Sequence, residues 1–297
     1  MPPPGGAPSP AGRTPGPLLR ALPAGARGRP VTVIRNPRPG FVRHRLRPLC
    51  GRCPGLALDL GSARTRAFIA GRGMVLDVPT VTFPGSGAIH PVQRGTIVDT
   101  PGAARMLERL LGHRLPRIGR PLVVVTSPVL DGPAFRAAAR TAVEVLRPRA
   151  VMTVPGARAV ALAAGADHVR PLLVADIGAH LTEVVLLADG AVTDARRTAL
   201  GTADLSDGTP PELITDAVIG MVTDMLRQDR TSLTRTALRR GVLLAGGGAL
   251  RPDITGGLPG GLNCAVQPVP SPHTAAVRGA AGLLAAAHRH PSADGVL

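Results

Sequence analysis

The sequence predicts an α/β protein of two lobes in which one topology is used twice. Residues 56–75 read LALDLGSARTRAFIAGRGMV, and residues 173–192 read LVADIGAHLTEVVLLADGAV. When Asp59 is aligned on Asp176, further glycine, threonine and valine positions coincide. Each copy consists of an apolar strand, an acid, a glycine turn, a second strand with a threonine, and a turn into a third strand. Strands alternate with helices after each copy, which is typical of α/β folds.

Apolar patterning predicts the elements of the first half. Residues 101–112 place methionine and leucine side chains on one side of a helix, and PLVVVTS at 121–127 is a continuous apolar strand suited to burial on both faces of a sheet. The expected elements are a meander near 56–60, 65–70 and 73–77, a helix at 101–112, a strand at 121–127, a helix from 134 to about 146 capped by Asp131, a strand at 150–154, and a helix with Pro155 at its first position.

The second half repeats the pattern. The second meander is expected at 172–198, followed by a helix at 211–228 and a shorter helix opened by Ser232. Residues 241–250 are expected to form a buried strand, then a triple-glycine turn, and then the start of a helix. An Ala-rich helix at 273–289 ends the predicted fold.

Composition limits the classes of protein that fit. The 297 residues are enough for two modest lobes. Because Trp and Tyr are absent and Phe occurs four times, the cores are expected to consist of small apolar residues. No apolar run has the length of a membrane-spanning helix. Proline and glycine interrupt every apolar stretch near the N-terminus, so we expect no secretory signal and a cytoplasmic protein.

The net charge of +16 is unevenly placed. Residues 1–54 contain ten Arg and no Asp or Glu, are rich in Pro and Gly, and show no sustained helix or strand period. We therefore predict a disordered basic tail. Two interpretations of it stay open: attraction to anionic lipid or nucleic acid by charge alone, or a solvated extension. Because Phe41 is the one aromatic residue there for stacking on bases, we expect no sequence-specific nucleic-acid recognition.

Three places carry residues suited to a nucleotide. In each copy of the repeat, an aspartate and a tight turn stand at a strand end, where a phosphate and its metal ion can sit. Two such turns facing each other would clamp one nucleotide between two lobes. The third place is AGGGAL at Ala245–Leu250, where glycines let backbone approach a ligand and a helix start offers N–H donors. Glycine turns of this kind also serve packing.

The order DLGSART, DIGAHLTE, LLAGGGAL resembles the phosphate-1, phosphate-2 and adenosine motifs of the actin and heat-shock chaperone ATPase superfamily. Within it, the sequence is similar to the bacterial actin MreB through GRGMVLDVPTV at 71–81, GTIVDTPGAARML at 95–107 and SPHTAAVRGAAGLL at 271–284. The resemblance covers nearly all of residues 56–288. It implies an actin-like two-lobed ATPase fold, a duplicated ribonuclease H-like unit.

The resemblance also implies a domain arrangement. Where MreB proteins carry outer subdomains, this chain has about a dozen residues between Val81 and Gly95 and another short bridge between Leu200 and Pro211. We therefore expect a core that lacks most of the two outer subdomains. The predicted divisions are a disordered tail at 1–54, lobe I at 55–155, lobe II at 156–270, a C-terminal helix returning to lobe I at 271–290, and a disordered end at 291–297.

By the same resemblance, the cofactor is ATP with Mg²⁺, and Asp59 and Asp176 hold the waters around the metal. The residues expected to face the nucleotide are Asp59, Gly61, Ser62, Ala63, Arg64, Thr65, Asp176, Gly178, Ala179, His180, Thr182, Gly246, Gly247, Gly248, Ala249 and Leu250.

Three departures from MreB alter this expectation. Arg64 stands where MreB has Asn, and is either a phosphate partner or a surface charge. Ala179, His180 and Leu181 replace family glycines and a threonine, which makes close approach of that backbone to a γ-phosphate harder. His180 is interpreted as a turn residue.

The third departure lies in MTVPGARAV at 152–160. MreB proteins have acidic residues just before this proline, one of which positions the attacking water, whereas this chain has Thr153 and Val154. Neither side chain can act as a general base. We therefore assign no catalytic residue and expect at most a weak ATPase.

The favoured interpretation is an MreB-like cytoskeletal, cell-shape protein that binds nucleotide with weak or no hydrolysis. Its expected partners are itself, other MreB-like proteins and cell-morphogenesis proteins, with contact to anionic membrane through the tail. Two alternatives stay open: a short heat-shock-like reactivating or chaperone ATPase similar to EutJ, and a nucleotide-free scaffold. Sugar and acetate kinases share the fold, but they need a substrate aspartate and larger inserts that this sequence lacks.

Overall fold

The computed structural model describes residues 55–84, 87–116, 119–130 and 132–289. The predicted tail, the predicted disordered end and the predicted cap Asp131 lie outside these residues. The strands are β1 (Gly55–Leu60), β2 (Arg64–Ile69), β3 (Gly73–Pro79), β4 (Val92–Gln93), β5 (Thr96–Ile97), β6 (Leu122–Ser127), β7 (Ala150–Pro155), β8 (Leu172–Ile177), β9 (Thr182–Ala188), β10 (Ala191–Thr198), β11 (Val242–Ala245) and β12 (Val266–Pro268). The helices are α1 (Thr100–Leu111), α2 (Gly132–Val143), α3 (Gly156–Ala163), α4 (Pro211–Gln228), α5 (Leu233–Arg240), α6 (Pro252–Thr255), α7 (Leu258–Leu262) and α8 (Ala275–Arg289).

The first lobe is built on a five-stranded sheet in the order β3-β2-β1-β6-β7. Its first three strands form the predicted antiparallel meander, and β6 and β7 extend the sheet in parallel. All six residues of β6 are buried, as its continuous apolar run predicts. Helices α1 and α2 cover one face through a core of leucine, valine and alanine side chains.

The second lobe repeats this topology. Its sheet has the order β10-β9-β8-β11-β12, with an antiparallel meander followed by two parallel strands. The two meanders also share their register: Asp59 pairs with Arg66 on β2, and Asp176 pairs with Glu183 on β9. Helices α4 to α7 cover one face of this sheet. The internal repeat read from the sequence is therefore a repeat of structure.

Two helices join the lobes. Helix α3 follows β7 of the first sheet but packs on the second, whereas α8 follows the second sheet and packs on β1 and β6 of the first. The two helices cross in direct backbone contact, because a Cβ atom at Gly279 would lie 1.8 Å from the carbonyl oxygen of Ala159. Any residue larger than glycine at this position would force the helices apart.

The connections predicted to replace outer subdomains are short. Between β3 and α1, the described residues form the small hairpin β4–β5 and one isolated bridge from Thr82 to Ile89. Between β10 and α4 the chain makes a single 3₁₀ turn at Asp204–Asp207. Both connections lie beside the space between the lobes.

One of the predicted helix starts differs from the structure. Pro155 ends β7 with an extended ψ of 132° and caps α3 instead of occupying its first position. Ser232 directly precedes Leu233, the first residue of α5, as predicted, but it has a φ of 62° and its side chain makes no capping bond. The carboxylate of Asp229 accepts the backbone N–H groups of Thr231 and Thr234 instead. These bonds oppose the effect of burial and hold the pKa of Asp229 at about 2.

Candidate functional site

A cavity of about 300 Å³ lies between the lobes, at the carboxyl ends of β1, β6, β8 and β11. This is where α/β sheets place ligands. The predicted site residues that line it are Asp59, Gly61, Ser62, Ala63, Arg64, Asp176, Gly178, Ala179, Gly246 and Gly247. The predicted site residues that lie outside its wall are Thr65, His180, Thr182, Gly248, Ala249 and Leu250.

The turns after β1 and β8 have the same backbone geometry. The N–H of Gly61 donates to the carbonyl of Arg64 at 3.1 Å, and the N–H of Gly178 donates to the carbonyl of Leu181 at 2.9 Å. In both turns a Cβ atom on the glycine would lie 2.8 Å from that carbonyl oxygen. Glycine is therefore required at the equivalent position of each turn.

The two threonines at equivalent positions of the repeat are structural. The hydroxyl of Thr65 is 2.9 Å from that of Thr80, which donates to the carbonyl of Gly61. The hydroxyl of Thr182 donates to the carbonyl of Leu200 at 2.8 Å. Both threonines are fully buried, so they support the turns from behind instead of facing a ligand.

Two aspartates face each other across the cavity. Asp59 accepts the hydroxyl hydrogen bond of Thr126 at 2.7 Å, whereas no hydrogen bond to the carboxylate of Asp176 is found among the described residues. Burial, and then repulsion from Asp59, raise the pKa of Asp176 to about 6. Burial also raises the pKa of Asp59, against the opposing effects of Thr126 and Arg66. Both shifts arise chiefly because burial disfavours the charged form of a carboxyl group.

Glu183 is a third buried acid on this wall, and sequence reasoning did not single it out. It pairs with Asp176 in the sheet and accepts the backbone N–H of Val129 from the other lobe at 3.2 Å. Burial, followed by repulsion from Asp176, raises its pKa to about 7. The signal in the sequence was an acid in the otherwise apolar run of β9, at a position whose neighbours are buried.

Of the two interpretations of Arg64, its partners favour the surface charge. Its Nε atom lies 2.5 Å from Asp77, and the side chain is 43% exposed, so Arg64 forms a surface ion pair at the edge of the cavity. Arg66, two residues further along β2, is less exposed than Arg64. The side chain of Arg66 is 13% exposed. Its Nη1 atom lies 3.6 Å from a carboxylate oxygen of Asp59, and its Nε atom lies 3.3 Å from one of Asp77. Both are ion-pair distances, but Nε makes no hydrogen bond among the described residues.

His180 and the glycine turn complete the rim. The Nδ1 atom of His180 is 3.1 Å from the hydroxyl of Ser62, so the two turns touch each other across the cleft. At Gly246, which has a φ of 80°, a Cβ atom would lie 2.5 Å from a carboxylate oxygen of Asp176. Gly247 has open space around it, whereas Leu250 is 57% exposed outside the cavity.

Solved structures share this architecture. The crystal structure of MreB5 of Spiroplasma citri bound to ADP has a TM-score of 0.71 at 15% identity, over 80% of this chain and 98% of that one. The chain has the actin-like, two-lobed fold. MamK, solved as a double helical filament, has a TM-score of 0.66 at 17% identity, over 80% and 99% of the two chains. EutJ from Carboxydothermus hydrogenoformans has a TM-score of 0.56 at 18% identity, over 77% and 89%.

The similarity to MreB predicted from the motifs is thus confirmed at the level of the fold. No protein-family model matches the chain, and no curated protein matches it in sequence. At identities of 15% to 18%, the likeness to these structures shows the fold.

The donor set of the cavity in this actin-like fold suits a hydrated Mg²⁺. The candidates are the carboxylates of Asp59 and Asp176, and the buried hydroxyl of Ser127 also lines the cavity without a hydrogen-bond partner among the described residues. Within those residues, no group of three or more His, Cys, Asp or Glu side chains is arranged to hold a metal by itself. Mg²⁺ is commonly bound through one or two carboxylates with water and substrate phosphate, which fits the pair found here.

The residues that replace the acids of MreB lie away from the cavity. Neither Thr153 nor Val154 lines it, and Val154 is buried in the contact with α8. The neighbouring Gly156, which begins α3, does line it. Apart from the aspartate pair, Glu183 is therefore the acid that lines the cavity within the described residues.

Proposed function

We propose that this chain is a nucleotide-binding protein of the actin-like fold that holds ATP or ADP with Mg²⁺ between its lobes and hydrolyses ATP slowly or not at all. The observation that carries the proposal is the pair of equivalent turns that present Asp59 and Asp176 to one cavity, with the glycine turn at Gly246 beside them. The MreB5 structures bound to ADP and AMPPNP support it.

The residues that line the cavity would each contribute to binding the nucleotide. Mg²⁺, when bound, would neutralise phosphate charge, and Asp59 and Asp176 would hold its water ligands. Backbone N–H groups of the turns at 61–65 and 178–182 would contact phosphate, and Gly246 and Gly247 would leave room for the nucleoside. Glu183 lines the cavity with a pKa raised to about 7, so it would be the group able to accept a proton from water in any slow hydrolysis.

Calorimetric titration of the full chain with Mg-ADP and Mg-AMPPNP tests the proposal. We expect saturable binding that weakens by about tenfold or more in Asp176→Ala, because one of two metal-facing carboxylates is lost. Asp224→Ala is the matched control, since Asp224 is an exposed aspartate of the same lobe that pairs with Arg227. Absence of binding at millimolar nucleotide would leave the nucleotide-free scaffold as the function of this fold.

We extend the proposal to a cytoskeletal, cell-shape role through assembly with further copies of the chain or with other MreB-like proteins. MamK, solved as a filament, supports it. Light scattering of the titrated samples tests it, and a nucleotide-dependent rise is expected. Capture of a metabolic enzyme together with constant scattering would favour the EutJ-like reactivating alternative. The cytoplasmic location stays a prediction, and no helix in the described part of the chain has the length and hydropathy to cross a bilayer.

We also propose that one end of lobe I contacts anionic membrane. The Arg-rich tail joins β1 at Gly55, which pairs with Leu122, and Leu122 pairs with Ala150. The same end bears an open cleft with two glutamates and five exposed arginines, a net charge of +3. The arginines of the cleft are Arg109, Arg120, Arg140, Arg147 and Arg149. The tail sequence that leads into Gly55 adds ten arginines.

Co-sedimentation with lipid vesicles tests the membrane contact. The full chain should pellet with vesicles that contain phosphatidylserine and stay in solution with pure phosphatidylcholine, because the attraction is electrostatic. Raised salt should release it. Equal pelleting with both lipids, or with neither, would contradict the proposal.

A further inference from the structure

One arginine of the first lobe reaches across the cleft to the second. Arg94 lies at the tip of the β4–β5 hairpin with a φ of 45°. Its guanidinium donates to a carboxylate oxygen of Asp204 at 2.9 Å and also to the carbonyl of Ala199. Both acceptors belong to the connection between β10 and α4 of the second lobe. We call this pair of contacts the clasp.

Asp204 is fixed in place for this contact. Asp204 is 9% exposed, and its second carboxylate oxygen accepts the N–H of Gly201 at 2.8 Å. Burial opposes ionisation, but the bonds from Gly201 and Arg94 hold the pKa of Asp204 below its usual value. The clasp therefore joins a guanidinium to an ionised, preorganised carboxylate, a stronger pairing than between two mobile surface chains.

The turn that carries Asp204 is bonded directly to the second phosphate-facing turn. The N–H of Thr202 donates to the carbonyl of Gly178 at 3.0 Å, and the N–H of Ala203 donates to the carbonyl of Ala179 at 2.8 Å. The two turns are in backbone contact, since a Cβ atom at Gly201 would lie 2.5 Å from Ala179. A displacement of Asp204 is thus transmitted to the backbone that lines the cavity.

The β4–β5 hairpin also touches that turn from the other side. A Cβ atom at Gly95 would lie 2.7 Å from the side chain of Leu181, which itself replaces a small residue of the MreB pattern. Gly95 has a φ of 78°, a conformation that favours glycine. The first lobe therefore holds the turn at 178–181 both through Arg94 and through this apolar contact.

We propose that Arg94 and Asp204 are positioning residues that keep the turn at 178–181 against the first lobe and thereby slow the release of bound nucleotide. The inference rests on the proposed nucleotide-binding function. Release requires the lobes to separate, and separation must break the clasp and expose the carboxylate of Asp204, whose side chain is 12% exposed, to water. In this shortened core the clasp lies in the two connections where MreB proteins carry outer subdomains.

Dissociation of a fluorescent ADP analogue from the full chain, followed by stopped-flow mixing, tests the proposal. Arg94→Ala should release the nucleotide about three- to tenfold faster, because one charge-assisted contact of the closed state is lost. Asp204→Asn, which keeps an acceptor for Gly201 but removes the charge, should act in the same direction. Arg94→Lys should restore part of the effect.

Arg72→Ala is the matched control, because Arg72 is an exposed arginine of the same lobe whose side chain donates to the carbonyl of Arg114, away from the clasp. A second readout needs no nucleotide: amide hydrogen exchange at Thr202 and Ala203 should accelerate in Arg94→Ala and stay unchanged in Arg72→Ala. Wild-type release rates in Arg94→Ala and Asp204→Asn would overturn this inference alone. A wild-type chain that binds no nucleotide would overturn the proposed function and this inference together.

Discussion

Replacing Arg66 with methionine is expected to lower the free energy of unfolding by about 2 kcal/mol at about pH 8, because a partly buried ion pair loses its cation and Asp59 loses its counter-charge. The guanidinium of Arg66 lies between Asp59 and Asp77 and also lowers the pKa of Asp176. Methionine keeps much of the volume but leaves these carboxylates without their shared cation. Urea unfolding measures the loss.

Arg64→Met is the matched control for this variant. Arg64 lies two residues away on the same strand and pairs with the same Asp77, but its side chain is far more exposed. Its loss should cost less than about 1 kcal/mol, as for exposed ion pairs. The difference between the variants should shrink at about pH 5, where protonation relieves the repulsion at Asp176 and Glu183. Equal costs for the two variants would contradict the role given to Arg66.

Glu183→Gln should raise the free energy of unfolding by about 2 kcal/mol at about pH 8. The folded pKa of about 7 exceeds the ordinary 4.5, so the folded state binds the proton more tightly than the unfolded state. The stabilising contribution of the protonated Glu183 is therefore fully present below pH 4.5, and it is lost as the pH rises to about 7. Glutamine cannot ionise, so the variant does not lose this stability at high pH. Its amide N–H is left without an acceptor, which offsets part of the gain in stability.

The measurement is urea unfolding of both proteins across this pH range. The wild-type chain should lose stability with rising pH more steeply than the variant, and the two curves should converge in acid. Glu144→Gln, an exposed glutamate of the first lobe, serves as the control and should follow the wild type. A variant that is less stable than wild type at about pH 8 would show that Glu183 is stabilising as the anion.

The sequence predicted those parts of the site that depend on local pattern. The turns at Gly61 and Gly178 follow from strands that end in Asp-x-Gly, and the equal topology of the sheets follows from the repeat. Burial on both faces of β6 follows from its unbroken apolar run. These features need only neighbouring residues, so one sequence is enough to predict them.

What could not be predicted depends on which face of a strand a side chain occupies and on distant contacts. Arg66 and Glu183 sit inside strands, where their neighbours across the sheet decide whether they reach the cavity. The contact of Ser62 with His180 joins residues 118 positions apart, and that of Arg94 with Asp204 joins residues 110 apart. Conversely, the motif at 245–250 suggested Leu250 as a contact, but the 3₁₀ turn directs it outward.

The crossing of α3 and α8 constrains how the two halves of the molecule can move. Because Gly279 meets the backbone of Ala159 with no side chain between them, the two helices are in close backbone contact at this point. We therefore expect the two lobes to rotate about this crossing, with the helix pair as the hinge. Sliding of one helix along the other should be suppressed. In such a motion, groups at the open rim travel farther than groups at the floor. A single polar contact at the rim then acts on a long lever arm, and weak forces there can govern how often the molecule opens.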